Sequence, residues 1–122
     1  MKKVTIMIPT YNQAKYISKA IESALSIDYS NIEVIVSDDC SSDNTDEIVK
    51  SIKDDRIFYL KNKKNSGAAV SRNKALKMAK GKWIAFLDSD DLWKKDKLEK
   101  QIKFMKNNNY HFSYTNYNLY VW

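Results

Sequence analysis

KVTIMIPTYNQAKYISKAIESALSIDYSNIEVIVSDD, residues 3–39, is the stretch on which the fold turns. A β-branched run at 4–8 reads as a short buried strand. Ile17, Ala20, Ile21, Ala24 and Leu25 then recur three and four residues apart, which on a helix makes one apolar stripe. Residues 32–37, IEVIVS, return to the β-rich pattern. A strand, an amphipathic helix and a second strand form a β-α-β unit.

The same alternation continues outward. SSDNTDEIVKSI (41–52) predicts a helix started by Asn44 with Glu47 three residues on, turning Ile48, Val49 and Ile52 inward. Residues 57–60 of RIFYL predict a third strand. GAAVSRNKALKMAKG (67–81) predicts a helix over 68–79, alanine-rich and closed by Gly81. WIAFL (83–87) predicts a fourth strand, and Asp96 with Glu99 caps a last helix facing Leu98, Ile102 and Met105 inward. The aromatic HFSYTNYNLYVW (111–122) predicts a fifth strand. Residues 61–66 and 106–109 read as loops. This order implies an α/β fold: an open, mostly parallel sheet with flanking helices and right-handed crossovers, its last strand free to run antiparallel at an edge.

Bulk properties agree with one domain over 1–122. Two glycines and one proline leave no visible linker, and a 43% hydrophobic fraction supports a real core. The single cysteine, Cys40, excludes an internal disulfide and fits a reducing compartment. The first apolar run is too short for a signal peptide, and no later run approaches a membrane span. A cytoplasmic protein is expected. The net charge of +6 owes much to Lys94, Lys95, Lys97, Lys100, Lys103 and Lys106. They read either as a solvated helix face or as a contact for an anionic partner, a phosphate ligand or a membrane surface. Nucleic acid is not expected, because aromatics are not interleaved with the lysines as a stacking platform requires.

In a parallel sheet the carboxyl ends of the strands share one edge, where ligands bind. Pro9, Thr10 and Tyr11 follow the first strand; Asp38 and Asp39 follow the second; Asp88, Ser89, Asp90 and Asp91 follow the fourth. Singly, each has an ordinary reading: aspartates cap helices or form turns, and a tyrosine packs at a rim. Together they point to one crevice. Three crowded carboxylates repel one another unless a cation meets them. Hard oxygen donors, with His111 and Cys40 isolated, favour Mg²⁺ or Mn²⁺ over zinc. Such an ion completes its shell with water and substrate phosphates, which makes a diphosphate-bearing substrate the working expectation. Gly67 opens a helix whose N-terminal N–H groups suit an anion. Arg72, one turn on, reads equally as a phosphate or carboxylate fork and as a neutralising partner for an aspartate.

These segments together resemble family 2 glycosyltransferases of the GT-A fold. VTIMIPTYNQAKYISKAIESAL carries P-x-Y-N, VIVSDDCSSDNT carries D-D-x-S-x-D-x-T, and NSGAAVSRNKALKMAKGKWIAFLDSDDLW carries G-x-x-x-x-R-N and D-x-D, in the family's order. The resemblance implies a nucleotide-sugar-binding domain, with uridine diphosphate the expected carrier. It implies that Pro9, Thr10 and Tyr11 line the base and ribose pocket, and that Asp39 accepts from the base edge. Gly67, Arg72, Asp88 and Ser89 would also bind the nucleotide-sugar, with Arg72 beside the base and the diphosphate and Ser89, like Asp91, close to the ribose and the metal's waters. Asp90 and Asp88 would hold Mn²⁺ or Mg²⁺, with Asp91 close to the metal's waters. Transfer to a glycan or lipid-linked acceptor, with inversion, is what the family implies. Bacterial relatives often decorate surface polysaccharides or lipid-linked glycans, and a place at the inner face of the membrane is compatible with the cytoplasmic expectation.

The chain departs from that pattern in two ways. The general base and the acceptor-binding region are expected beyond Trp122, so no catalytic residue is assigned here. Self-association through a bare edge at Tyr114, Tyr117, Tyr120, Val121 and Trp122 is expected in their place. Cys40 stands where a glycine is common. The competing readings are a non-catalytic nucleotide-sugar or diphosphate-binding module and, less well matched, a phosphoacceptor domain, which wants acidic residues after the first strand. A dinucleotide-binding dehydrogenase lacks its G-x-G-x-x-G.

Overall fold

The structure, a computed structural model, describes residues 1–119. Four strands and four helices alternate: β1 (Val4–Thr10), α1 (Ile17–Leu25), β2 (Ile32–Asp38), α2 (Thr45–Ser51), β3 (Ile57–Lys61), α3 (Ala68–Met78), β4 (Trp83–Phe86) and α4 (Lys97–Asn108). The strands form one sheet in the order β3-β2-β1-β4, and every pairing is parallel. The β1–β2 register sets Val4 opposite Ile32 and Thr10 opposite Asp38, so the polar ends of both strands finish level.

The order reverses after β3. The chain builds outward through β2 and β3, then passes back across the sheet in α3 to place β4 on the far side of β1. The main core packs α1, α2 and α4 against one face, with Ile6, Ile8, Ile17, Ile21, Val34, Val36, Leu98 and Ile102 buried together. α3 covers the other face through a smaller cluster of Met7, Ile35 and Ala75. The crevice at the reversal opens between the carboxyl ends of β1 and β4, where such sheets bind ligands.

Gly81 is required by close approach. A Cβ there would meet the backbone nitrogen of Thr5 at 2.4 Å, and its own N–H donates to Thr5 Oγ1 at 2.9 Å. It ties the α3–β4 connection to β1 and does not close the helix, which ends at Met78.

Four expectations need correction. The segment expected as a fifth strand forms none over 111–119; its remaining residues, 120–122, lie outside the described residues. Strand preference in aromatics expresses fit to a half-buried pleated surface. Here the rings have no such surface, and Tyr114 is 86% exposed. The expected loop at 106–109 is helical through Asn108, and Asn109 stops the helix in the left-handed region at φ 55°. Neither Asn44 nor Asp96 makes a side-chain capping bond. Asp43 does that work for α2, accepting the N–H of Thr45 at 3.1 Å and its hydroxyl; Asp96 instead pairs with Lys100 at 2.7 Å.

Candidate functional site

The edge formed by the strand ends is built first by two aspartates with no freedom to move. Asp38, the last residue of β2, is fully buried. Its Oδ1 accepts the backbone N–H and the hydroxyl of Ser41 at 2.9 and 2.6 Å, and its Oδ2 accepts the Tyr59 hydroxyl. Burial and that bond to the carboxylate push the Tyr59 phenol well above its ordinary pKa. Asp38 is thus a scaffold residue beneath the site.

Asp39 is 6% exposed and faces the other way. Oδ1 accepts from Asn62 Nδ2 at 2.8 Å and from the Ser66 N–H at 2.7 Å, and Oδ2 accepts from the Gly67 N–H at 2.8 Å. Burial alone would raise its pKa, but these donors outweigh it and hold the carboxyl below the usual carboxylate range. Asn62 also donates to Ser71 Oγ at 2.9 Å, which locks the loop onto the first turn of α3.

The loops after β1 and β2 are stitched to each other. Asn12 adopts φ 51° and its Oδ1 accepts from the Ser42 N–H at 2.8 Å, while its own N–H donates to Ser41 Oγ at 2.8 Å. Asp43 Oδ2 accepts the Ala14 N–H at 3.1 Å. Asn12, Ser41, Asp43 and Asn62 were not singled out by the sequence analysis. Asn12 sits inside P-x-Y-N and tolerates the left-handed region, and Ser41 and Asp43 are the S and the third D of D-D-x-S-x-D-x-T, so the motifs held three of the four without showing their roles.

This framework places the residues expected at the site around one crevice of about 270 Å³. Pro9, Thr10, Tyr11, Asp39, Arg72, Asp88, Ser89 and Asp90 line it, together with Gln13, Ala68 and Ser71. Gly67 is not on the lining; it acts through its bond to Asp39 and as the N-cap residue of α3, at φ 91°. The Thr10 hydroxyl, on a residue 5% exposed, is buried with no protein partner. It is an unmet polar group on a residue that lines the crevice. Arg72 is exposed, and the ion pairs among the described residues all lie elsewhere, so neutralising an aspartate is not its arrangement here.

At the β4 end, one carboxylate oxygen from each of Asp88, Asp90 and Asp91 lies within 4.8 Å of the other two, and all three residues are exposed. Asp91 carries a raised pKa, through desolvation first and then the charges of Asp90 and Asp88. The donor set is all hard oxygen and exposed to solvent. It fits a divalent cation of the Mg²⁺ or Mn²⁺ type. A second, larger groove of about 1280 Å³ begins at the same three aspartates and runs between α4 and residues 113–119.

Comparison with known proteins agrees with this geometry. The Glycosyl transferase family 2 model matches residues 5–121. The chain is 51% identical over 117 residues to an Escherichia coli UDP-Glc:alpha-D-GlcNAc-diphosphoundecaprenol beta-1,3-glucosyltransferase, WfaP, covering 96% of this chain and 47% of that protein. Among solved structures, S. aureus TarS 1-349 in complex with UDP-GlcNAc is 35% identical at a TM-score of 0.82, over 88% of this chain and 32% of that one. The Pyrobaculum calidifontis mannosyltransferase PcManGT, in complex with GDP-Man and Mn²⁺, is 30% identical at a TM-score of 0.78, over 84% and 32%. The chain spans about half the length of the curated relative it matches. Its sheet order, its crevice and these matches lead to one assignment: the chain belongs to glycosyltransferase family 2 and has the GT-A type of fold.

Proposed function

We propose that this chain is the donor-binding part of a glycosyltransferase that takes its sugar from a uridine diphosphate carrier in the presence of Mn²⁺ or Mg²⁺. The observation that carries the reading is the convergence of Tyr11, Asp39, Arg72 and Asp90 on a single crevice. Tyr11, 46% exposed at the mouth, offers its ring to the base. Asp39 lines the crevice with its carboxylate held ionised by Asn62, Ser66, Gly67 and Ser71, and an ionised carboxylate at this position suits the imide N–H of uracil. The Thr10 hydroxyl supplies a partner for the ribose side, and Pro9 and Ser89 complete that wall. Arg72 lies free to meet the diphosphate. Gly67 keeps the start of α3 in place beneath it.

Asp90 and Asp88 would hold the cation, with Asp91 beside them. The ion supplies electrostatic stabilisation of the charge that grows on the departing diphosphate. The acceptor hydroxyl then attacks by a single displacement with inversion. Its proton is assigned to no residue of the crevice, because the carboxylates there are occupied by the loop or set toward the cation. The acceptor is a glycan or a lipid-linked sugar, and the working location is the cytoplasmic side of a membrane. The exposed aromatics at Tyr114 and Tyr117 favour self-association of the isolated chain, which sedimentation velocity at rising concentration reads directly.

A thermal-shift titration tests the donor reading. Uridine diphosphate with Mn²⁺ at about a hundred times its dissociation constant is expected to stabilise the chain by about 2.7 kcal/mol. Asp90→Ala is expected to lose the Mn²⁺-dependent part and keep the baseline midpoint. A shift that is unchanged in Asp90→Ala would contradict the assignment of the cation site. A pure binding module would show the same shift, and only sugar transfer by a longer chain carrying this one distinguishes it.

A further inference from the structure

We infer that Asn62 is a positioning residue that sets the span between the carboxylate of Asp39 and the turn of α3 that carries Arg72, so that the crevice takes the base and the diphosphate of one nucleotide together. This rests on the donor reading above and deepens it: that reading names the groups that meet the ligand, and this one names the side chain that holds them in register. Asn62 follows β3 directly and is buried. It is not among the residues that line the crevice, so it acts on a ligand only through others. Its backbone N–H donates to the Asp38 carbonyl at 2.8 Å, which fixes it to the end of β2.

The side-chain amide then reaches two acceptors at once. Nδ2 donates to Asp39 Oδ1 at 2.8 Å and to Ser71 Oγ at 2.9 Å. An amide nitrogen carries two hydrogens, which matches the two acceptors. Ser71 is buried and immediately precedes Arg72, and its carbonyl accepts the Ser37 hydroxyl at 2.8 Å. The Ser66 and Gly67 N–H groups tie the approach to α3 to the same Asp39 carboxylate, but they come before the helix begins. Asn62 carries that tie one turn further, to the residue beside Arg72. Both ends of the bridge, Asp39 and Ser71, line the crevice, and so does Arg72. A nucleoside diphosphate presents base and phosphate on one short frame. Two contacts to one ligand reinforce each other while the protein holds them at the ligand's span, and a loose span adds an ordering cost. An asparagine that only props up the fold would leave the contribution of Arg72 unchanged. One that sets the span makes that contribution depend on it.

A double-mutant cycle read by calorimetric titration tests this. With Mn²⁺ present, Arg72→Gln is expected to weaken uridine diphosphate about tenfold or more in the parent chain and to leave uridine unchanged. In an Asn62→Leu background, uridine diphosphate is expected to bind more weakly from the outset, and the same Arg72→Gln change to weaken it by less than about threefold. Where Asn62→Leu does not fold, as judged by circular dichroism and urea unfolding, Asn62→Ser keeps one hydroxyl donor and takes its place with the same expectations. An equal Arg72→Gln factor in the two backgrounds would overturn the inference, because independent roles give additive effects. So would an unchanged affinity for uridine diphosphate in the Asn62 variant. Failure of the donor reading looks different: the parent chain itself then binds neither nucleotide, or binds uridine diphosphate with no response to Arg72→Gln, and the inference falls with it.

Discussion

The carboxylate of Asp39 accepts the backbone N–H of Gly67 at 2.8 Å, across 28 residues of sequence. One bond therefore joins the end of β2 to the start of α3, and the crevice exists because these two elements are held together. The same carboxylate also takes the Ser66 N–H at 2.7 Å, so two neighbouring backbone donors depend on one side chain. Replacing it leaves both without that partner and takes one from the buried Asn62 amide as well, and a stranded buried donor costs about 1–3 kcal/mol. Asp39→Ala is expected to lower the unfolding free energy in urea by roughly 2–4 kcal/mol and to weaken nucleotide binding as well. Loss of binding at unchanged stability would show that the loop does not need Asp39.

The acid limb of the stability curve follows from the same groups. Asp39, Asp43 and Asp54 all titrate below the ordinary carboxylate value in the folded chain: Asp39 and Asp43 because their donors outweigh burial, Asp54 chiefly through its bond to Arg56. A carboxyl depressed by folding contributes stability that is whole above its unfolded pKa, near 3.9, and lost as pH falls through the folded value. Thermal midpoints are therefore expected to hold from neutral pH to about 5 and to fall below about 4. Asp91 works in the opposite sense, since its raised pKa marks a carboxylate that folding disfavours. Its contribution opposes the fall in acid, and a midpoint that rose as pH dropped to 3 would show that it dominates.

Cys40 adopts φ 66°, a left-handed conformation that an L side chain with a Cβ enters at a cost of about 1–2 kcal/mol. Its thiol offers little in return, reaching the Lys63 carbonyl at 3.7 Å. Cys40→Gly recovers part of the strain and loses some through the freer unfolded chain. The expected outcome is a gain of up to about 1 kcal/mol in urea unfolding. A loss of stability would mean that the thiol makes a contact worth more than the backbone strain.

The two glycines are expected to fail differently. Gly81→Ala drives a methyl into the Thr5 backbone at 2.4 Å and is expected to cost at least about 2 kcal/mol. At Gly67 nothing lies within 4 Å, so Gly67→Ala meets only the backbone penalty of φ 91° and ψ 160°, a region all but closed to side chains, about 1–3 kcal/mol. A Gly81→Ala variant as stable as the parent would contradict the close packing of the α3–β4 connection on β1.

Most of this architecture was legible because buried parallel strands and amphipathic helices have different periods. Ile17, Ala20, Ile21 and Ala24 are all fully buried, as their spacing requires. The strand ends followed from topology, and topology brought Tyr11, Asp39, Arg72 and Asp90 to one crevice. What stayed hidden was the hydrogen bonding that holds the crevice open. Nothing in the local pattern at Asn62 shows that its amide bridges Asp39 and Ser71, because that role needs a loop 23 residues away from Asp39 to fold back. The aromatic run from His111 misled for the converse reason: strand preference is realised only where a neighbouring surface receives it.

Calorimetric titration of uridine and of uridine diphosphate, each with and without Mn²⁺, tests the central claim most directly, since that claim joins a base pocket at Tyr11 and Asp39 to a cation site at Asp88 and Asp90. The expected result is that Mn²⁺ tightens uridine diphosphate about tenfold or more, a gain of about 1.4 kcal/mol, and leaves uridine unaffected. Equal affinities for uridine diphosphate with and without the metal, or no binding of either nucleotide, would contradict it.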